Sequence, residues 1–122
     1  MSDGAGNLDS IVGTAGAFAE GLKMKYTGDN NWIDQLQAVN GASVILQNNN
    51  PGFSCGIARI GNGFKTIGTS FEFGGLFLED QRVELMQKYL DFFEINVPAT
   101  LTSIAYTLQN NLCNGDTTQM FV

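Results

Sequence analysis

Two segments of strand composition, Ser54–Ile60 (SCGIARI) and Phe64–Phe73 (FKTIGTSFEF), are separated only by Gly61-Asn62-Gly63. Glycine and asparagine accept positive φ, and a short loop of this kind between two β-prone runs specifies a hairpin. The sequence therefore predicts a hairpin around residues 54–72, with strands at 54–60 and 64–72. Just upstream, Ala42–Gln47 carries Val44, Ile45 and Leu46, the composition of a third strand, and Asn48-Asn49-Asn50-Pro51-Gly52 reads as a loop. Strands adjacent in sequence tend to be adjacent in a sheet, so these three are expected to be neighbours in one.

Beyond Gly74-Gly75 the period changes from two to that of a helix, predicted at about 80–94. Asp80 is the expected N-cap, Glu79, Asp80 and Glu84 sit near the positive end of the helix dipole, and Glu84 is one turn from Lys88. Val83, Met86, Leu90 and Phe93, widened by Leu85 and Tyr89, form an apolar stripe expected to bury on the sheet. The helix should stop before Asn96-Val97-Pro98.

Towards the N-terminus, Leu22, Met24 and Tyr26 alternate with polar neighbours and predict a half-buried strand over 22–27, ended by Gly28-Asp29-Asn30-Asn31. Trp32, Ile33, Leu36 and Val39 suggest a short helical stripe closed by Asn40-Gly41. Leu8, Ile11, Val12, Ala15 and Phe18 recur at spacings of three and four, as in a short helix or loop weakened by Gly13 and Gly16. Residues 1–7 have the composition of a frayed end, and residues 97–122 read as a C-terminal extension, with one further helix or strand at 99–109. The expected architecture is α/β: a mixed sheet with flanking helices on a core of residues 8–96, in a single domain or domain fragment.

A chain of 122 residues suffices for one core. Its net charge of −6 disfavours phosphate backbones and anionic lipid headgroups, so no nucleic-acid partner is expected. No apolar run reaches the ~20 residues of a membrane-spanning helix, and the start MSDGAGNLDS is acidic and small and not basic and then apolar, so a secretory signal is expected to be either absent or already removed. Cys55 and Cys113 are read as two unlinked thiols or as one disulfide; pairing would close a long loop worth about 4 kcal/mol and argue for an oxidising compartment.

The sharpest chemical fact is that the chain has no histidine. Ser-His-Asp and Cys-His nucleophiles, histidine metal sites and histidine pH switches are all excluded within it. The two cysteines lack CxxC spacing, and neither GxGxxG opening a helix nor GxxxxGK[ST] occurs, so no cofactor is expected. Asp29, Asn31 and Asp34 lack the central glycine and twelfth-position glutamate of a calcium loop and read as a solvated turn. Two residues remain as candidates for ligand or partner contact. Glu72 is an acidic residue between Phe71 and Phe73 at the end of a strand, where it either faces solvent or stands where ligands bind α/β sheets. Trp32 is the single tryptophan, either core or a stacking surface.

From Leu22 to Phe93 the order of features resembles a class I glutamine amidotransferase-like domain: a strand ending in an Asn/Gly turn, then GIARIGNGFKTIGTSFEFGGL, a polar spacer, and DQRVELMQKYLDFF. Arg82, Leu85, Met86, Leu90, Phe92 and Phe93 sit at places that match the closing helix. The version it is similar to is the C-terminal half of the non-catalytic form found in large secreted bacterial proteins. Active members bring a histidine and a glutamate to a cysteine on an elbow. Here the equivalent stretch is Ser70-Phe71-Glu72-Phe73, and Cys55 stands in a strand-like context.

The resemblance implies a non-catalytic accessory or protein-interaction module of a secreted or cell-surface bacterial protein, soluble, with a protein partner or self-association and no membrane insertion. The alternatives are a self-assembling structural subunit, or a carbohydrate-binding β domain using Trp32 and the loop at 48–50. An enzyme would require a base donated by a partner chain.

Overall fold

A computed structural model describes residues 2–95, with side chains from residue 6. Seven strands precede one α-helix: β1 Ser2–Ala5, β2 Ser10–Gly13, β3 Lys23–Lys25, β4 Ile33–Gln35, β5 Ala42–Asn48, β6 Phe53–Gly61, β7 Phe64–Thr69, then a 3-10 turn at Phe73–Gly75 and α1 at Glu79–Phe92. Five strands form one sheet in the order β3-β2-β5-β6-β7, and β1 pairs with β4. Every pair is antiparallel. The protein is thus a mainly β structure with one helix among the described residues, in place of the expected mixed sheet with several. Short hairpin connections link β5, β6 and β7, and such links require antiparallel neighbours. The extension at 97–122 lies outside the described residues, as does Cys113.

The hairpin forms where its turn chemistry places it. Gly61 pairs with Phe64 across Asn62-Gly63, and Gly63 takes φ +80°. The turn ahead of β5 also follows from sequence: Asn40 and Gly41 have φ of 53° and 83°, and the Ala42 amide donates to the Val39 carbonyl at 3.0 Å. Two consecutive positive φ values are the signature of a type I′ turn, which Asn-Gly favours. In β3, Met24 is buried between exposed Lys23 and Lys25, and Leu22 and Tyr26 are buried on either side, which is the predicted alternation.

Elsewhere the structure corrects the expectations. Residues 2–5, read as a frayed end, form β1. The stretch 8–18 contains no helix; β2 pairs with both β3 and β5. Gly13 is the reason the chain can fold back here, because a Cβ on it would lie 1.6 Å from the Ala19 carbonyl oxygen. Residues 32–40 form the short β4 and a loop. Only Ile33 of that supposed stripe is buried, while Val39 is exposed. Asn48 belongs to β5 and is 1 % exposed. Its Oδ1 accepts from the amides of Asp9 and Ser10, and its Nδ2 donates to the carbonyls of Asn7 and Pro51. One side chain thereby satisfies four backbone groups where the N-terminal segment crosses the end of β5.

β7 ends at Thr69 and not at residue 72. After it, Phe71 turns into the core, edge-on to Tyr26 with ring centres 6.1 Å apart. The chain then crosses to the far edge of the sheet. Thr27 donates to Gly75 at 2.8 Å, Phe77 donates to Lys25 at 2.9 Å, and Tyr26 bridges Leu76. Gly75 is required for this approach, since a Cβ there would come within 2.5 Å of the Tyr26 ring. The segment around Leu76 thus covers the β3 edge and curls the sheet.

The N-cap of α1 is Leu78, which makes no side-chain cap, and the expected cap Asp80 lies inside the first turn with Glu79. The Arg82 guanidinium donates to the Leu76 carbonyl and fixes the entry to the helix. Leu85 is fully buried, and Tyr89 and Phe92 pack against the core. Phe18 stacks on Phe92 at 4.6 Å and meets Tyr89 edge-on at 6.5 Å. The stripe expected to be buried is therefore the outer one: Val83 is 62 % and Met86 41 % exposed. The helix is apolar on two faces, and the aromatic packing of Phe18 selects the one built on Leu85. The expected Glu84–Lys88 pair is replaced on this surface by a Gln87–Asp91 hydrogen bond of 2.9 Å.

Candidate functional site

The two residues singled out from sequence both stand on the surface. Glu72 is exposed and extended, with φ −76° and ψ 126°, at the entry to the 3-10 turn and not within a strand. Its carbonyl accepts from the Gly75 amide at 3.0 Å. The Tyr26 hydroxyl donates to the Asp29 carbonyl at 2.7 Å, and burial, with help from the Glu72 and Asp29 charges, raises its pKa above the ordinary tyrosine value. Asp29 in turn accepts from the Asn31 backbone and side chain at 3.0 and 2.9 Å, a closed turn that leads directly into Trp32. These contacts use the Asp29 and Asn31 oxygens and amides locally, as a solvated turn does.

Trp32 is 80 % exposed, so of its two readings, core or surface, the structure takes the second. β4 is too short to fold the ring inward, because Ile33, the next residue along the strand, takes the inward position. In the loop at 48–50, Asn48 is buried and fully engaged and so belongs to no surface, while Asn49 and Asn50 are exposed.

Cys55 is a buried thiol in β6, and loss of hydration pushes its pKa up to about 12. The neighbouring Tyr89 hydroxyl is pushed up to about 12 by the same cause. A thiol held in its protonated form is a poor nucleophile. Among the described residues no group of three His, Cys, Asp or Glu side chains is placed to hold a metal ion. No helix among them is long and apolar enough to cross a membrane.

Two surface features were not anticipated. The first is the outer edge of β7. Gly61 and Phe64 close the hairpin, and further along the Ser70 amide donates to the Cys55 carbonyl at 3.1 Å. Antiparallel bonding alternates, so Phe64, Thr66, Gly68 and Ser70 bond inward to β6, while Lys65, Ile67 and Thr69 direct their N–H and C=O groups outward. No strand among the described residues pairs with that edge, whereas the opposite edge, β3, is covered by residues 75–77. The tip of the same hairpin exposes Ile60 and Phe64, the latter under the Arg59 guanidinium at 5.3 Å. The second feature is a groove of about 380 Å³ on the outer face of α1, lined by Phe73, Val83, Met86 and Leu90 with Glu79, Arg82 and Gln87. The signal for the open edge was present in the strand order implied by consecutive hairpins. Nothing local indicated that, among the described residues, β3 would be covered and β7 left open.

No known protein family matches the chain, and neither a curated protein nor a solved structure is similar to it.

Proposed function

We propose that the chain is a non-catalytic protein-interaction module that takes an extended segment of a partner protein as an added strand on β7. The observation that carries this reading is the row of backbone groups at Lys65, Ile67 and Thr69, which no strand among the described residues covers, beside exposed Ile60 and Phe64. Added strands gain affinity from main-chain hydrogen bonds and specificity from alternate side chains. Exposed edges that are not used for pairing are usually blunted by charge or proline. Here the edge strand holds one charged residue, Lys65, and its ammonium is turned to the end of α1. A net charge of −6 sets copies of the chain against one another and favours a neutral or basic partner segment. The absence of histidine and the protonated state of Cys55 support a role without catalysis. The setting, an accessory part of a secreted or cell-surface bacterial protein, rests on the resemblance of residues 22–93 to the amidotransferase-like form.

The test is a display library of random peptides selected against the full chain, followed by hydrogen exchange on the enriched binders. Alternating apolar peptides that protect the Lys65, Ile67 and Thr69 amides, and that bind the Thr69→Pro variant at least about tenfold more weakly, are expected. Enriched peptides that bind equally well to that variant would sink the reading. Discrete oligomers in a light-scattering concentration series, abolished by Thr69→Pro, would instead assign the edge to a structural subunit. The exposure of Trp32 favours a second reading, a glycan stacking on its ring, which a glycan array with the chain and its Trp32→Ala variant tests.

A further inference from the structure

The outer face of α1 is apolar at Val83, Met86 and Leu90, at spacings of three and four, and Phe73 extends it from the 3-10 turn. A helix face turned to water is ordinarily polar, and an apolar stripe on a second face calls for a second covering. The end of α1 shows where the chain goes next. Glu94 has φ 60°, the Glu94 amide donates to the Asp91 carbonyl at 3.0 Å, and the Ile95 amide donates to the Leu90 carbonyl at 2.9 Å. This is the Schellman arrangement, which ends a helix by turning the backbone back over its last turn. It delivers Ile95 to Leu90, one of the residues that line the groove.

The residues that follow carry a matching pattern. Leu101, Ile104, Ala105, Leu108 and Leu112 recur at i, i+3, i+4, i+7 and i+11, and residues 96–115 contain no charged side chain. Pro98 stands just ahead of this run, where proline starts a helix more readily than it continues one. As a helix, residues 99–112 would measure about 21 Å, the same as the 14 residues of α1. We propose that residues 99–112 dock in cis along the outer face of α1 as an antiparallel helix, with Leu101, Ile104 and Leu108 over Leu90, Met86 and Val83. The groove is then an internal seam of the protein. It is separate from the β7 edge, so the two proposals stand or fall independently.

The experiment is methyl NOE spectroscopy on the full chain. Cross-peaks between the Met86 methyl and the Ile104 and Leu108 methyls are expected within one molecule, at an intensity that does not change with dilution. A folded chain without these cross-peaks overturns the proposal. So does finding them only between differently labelled copies, which would make the occupant a second molecule. A double-mutant cycle with Met86→Ala and Ile104→Ala gives an independent reading. The two substitutions should couple by at least about twofold in the unfolding equilibrium constant, and strict additivity would argue against contact.

Discussion

The Lys65 ammonium donates a 2.8 Å hydrogen bond to the Phe92 carbonyl, so the edge strand β7 holds the C-terminal end of α1. The same ammonium lies 5.4 Å from the Phe92 ring centre and 3.5 Å from the Glu94 carboxylate. A cation at this end of a helix meets both unpaired carbonyls and the negative pole of the dipole.

Replacing it removes the bond and leaves a partly buried carbonyl without its donor. Lys65→Met should cost about 1–2 kcal/mol of stability, read from the urea midpoint at constant m-value. The Glu94 side chain is 80 % exposed, so Glu94→Gln should cost under about 0.5 kcal/mol. An equal loss in the two variants would show that the ion pair, and not the helix end, is what Lys65 serves.

Asn48 presents both an acceptor and a donor pair to the backbone, and no other residue type of its size does so. Asn48→Asp keeps the acceptors for Asp9 and Ser10 but turns a carboxylate oxygen toward the Asn7 and Pro51 carbonyls. A loss of about 3 kcal/mol or more is expected by equilibrium unfolding, with faster amide exchange at Asp9 and Ser10. Unchanged stability would mean that the N-terminal crossing is not held by this side chain.

Burial raises Cys55 from an ordinary value of 9.0 to about 12, and Tyr89 from 10.0 to about 12. In both, the native state retains the proton that the unfolded chain releases. The stability this provides is complete below about pH 9 and is lost as pH rises towards 12, where the native groups also ionise. Unfolding free energy measured across that window should fall less steeply in the Cys55→Ala/Tyr89→Phe double variant. On a Cys113→Ser background, Cys55 should react with a thiol reagent in urea and resist it in the native state. Rapid native labelling would contradict its burial.

Trp32 contributes area to no core, so its removal touches little. Trp32→Ala should change stability by no more than about 0.5 kcal/mol. Because it is the only tryptophan, the native emission should already be red-shifted and open to quenching by acrylamide, and should change little on unfolding. A blue-shifted native spectrum would show that the ring is covered.

Much of the local structure follows from the amino-acid sequence alone. The Asn40-Gly41 and Gly61-Asn62-Gly63 turns, the alternation of Leu22, Met24 and Tyr26, the three consecutive strands β5, β6 and β7 and the existence of a closing helix are all set by residues a few positions apart. Positive φ and side-chain period are properties of neighbouring residues and need no distant partner. Whether the sheet is mixed or wholly antiparallel, whether 8–18 is a helix or a loop, the absence of a helix at 32–40 and the position of Glu72 beyond the end of β7 all depend on distant contacts that neighbouring residues do not carry. Gly13 admits the Ala19 carbonyl and so makes β2 part of a tight fold-back, Gly75 admits the Tyr26 ring and lets residues 75–77 cover the β3 edge, and Asn48 is consumed by four backbone groups from two segments. For α1 the period showed an apolar helix with more than one apolar face. Which face met the sheet was decided by Phe18, more than sixty residues away, because burial is shared between partners and one strand of sequence carries only half of each contact.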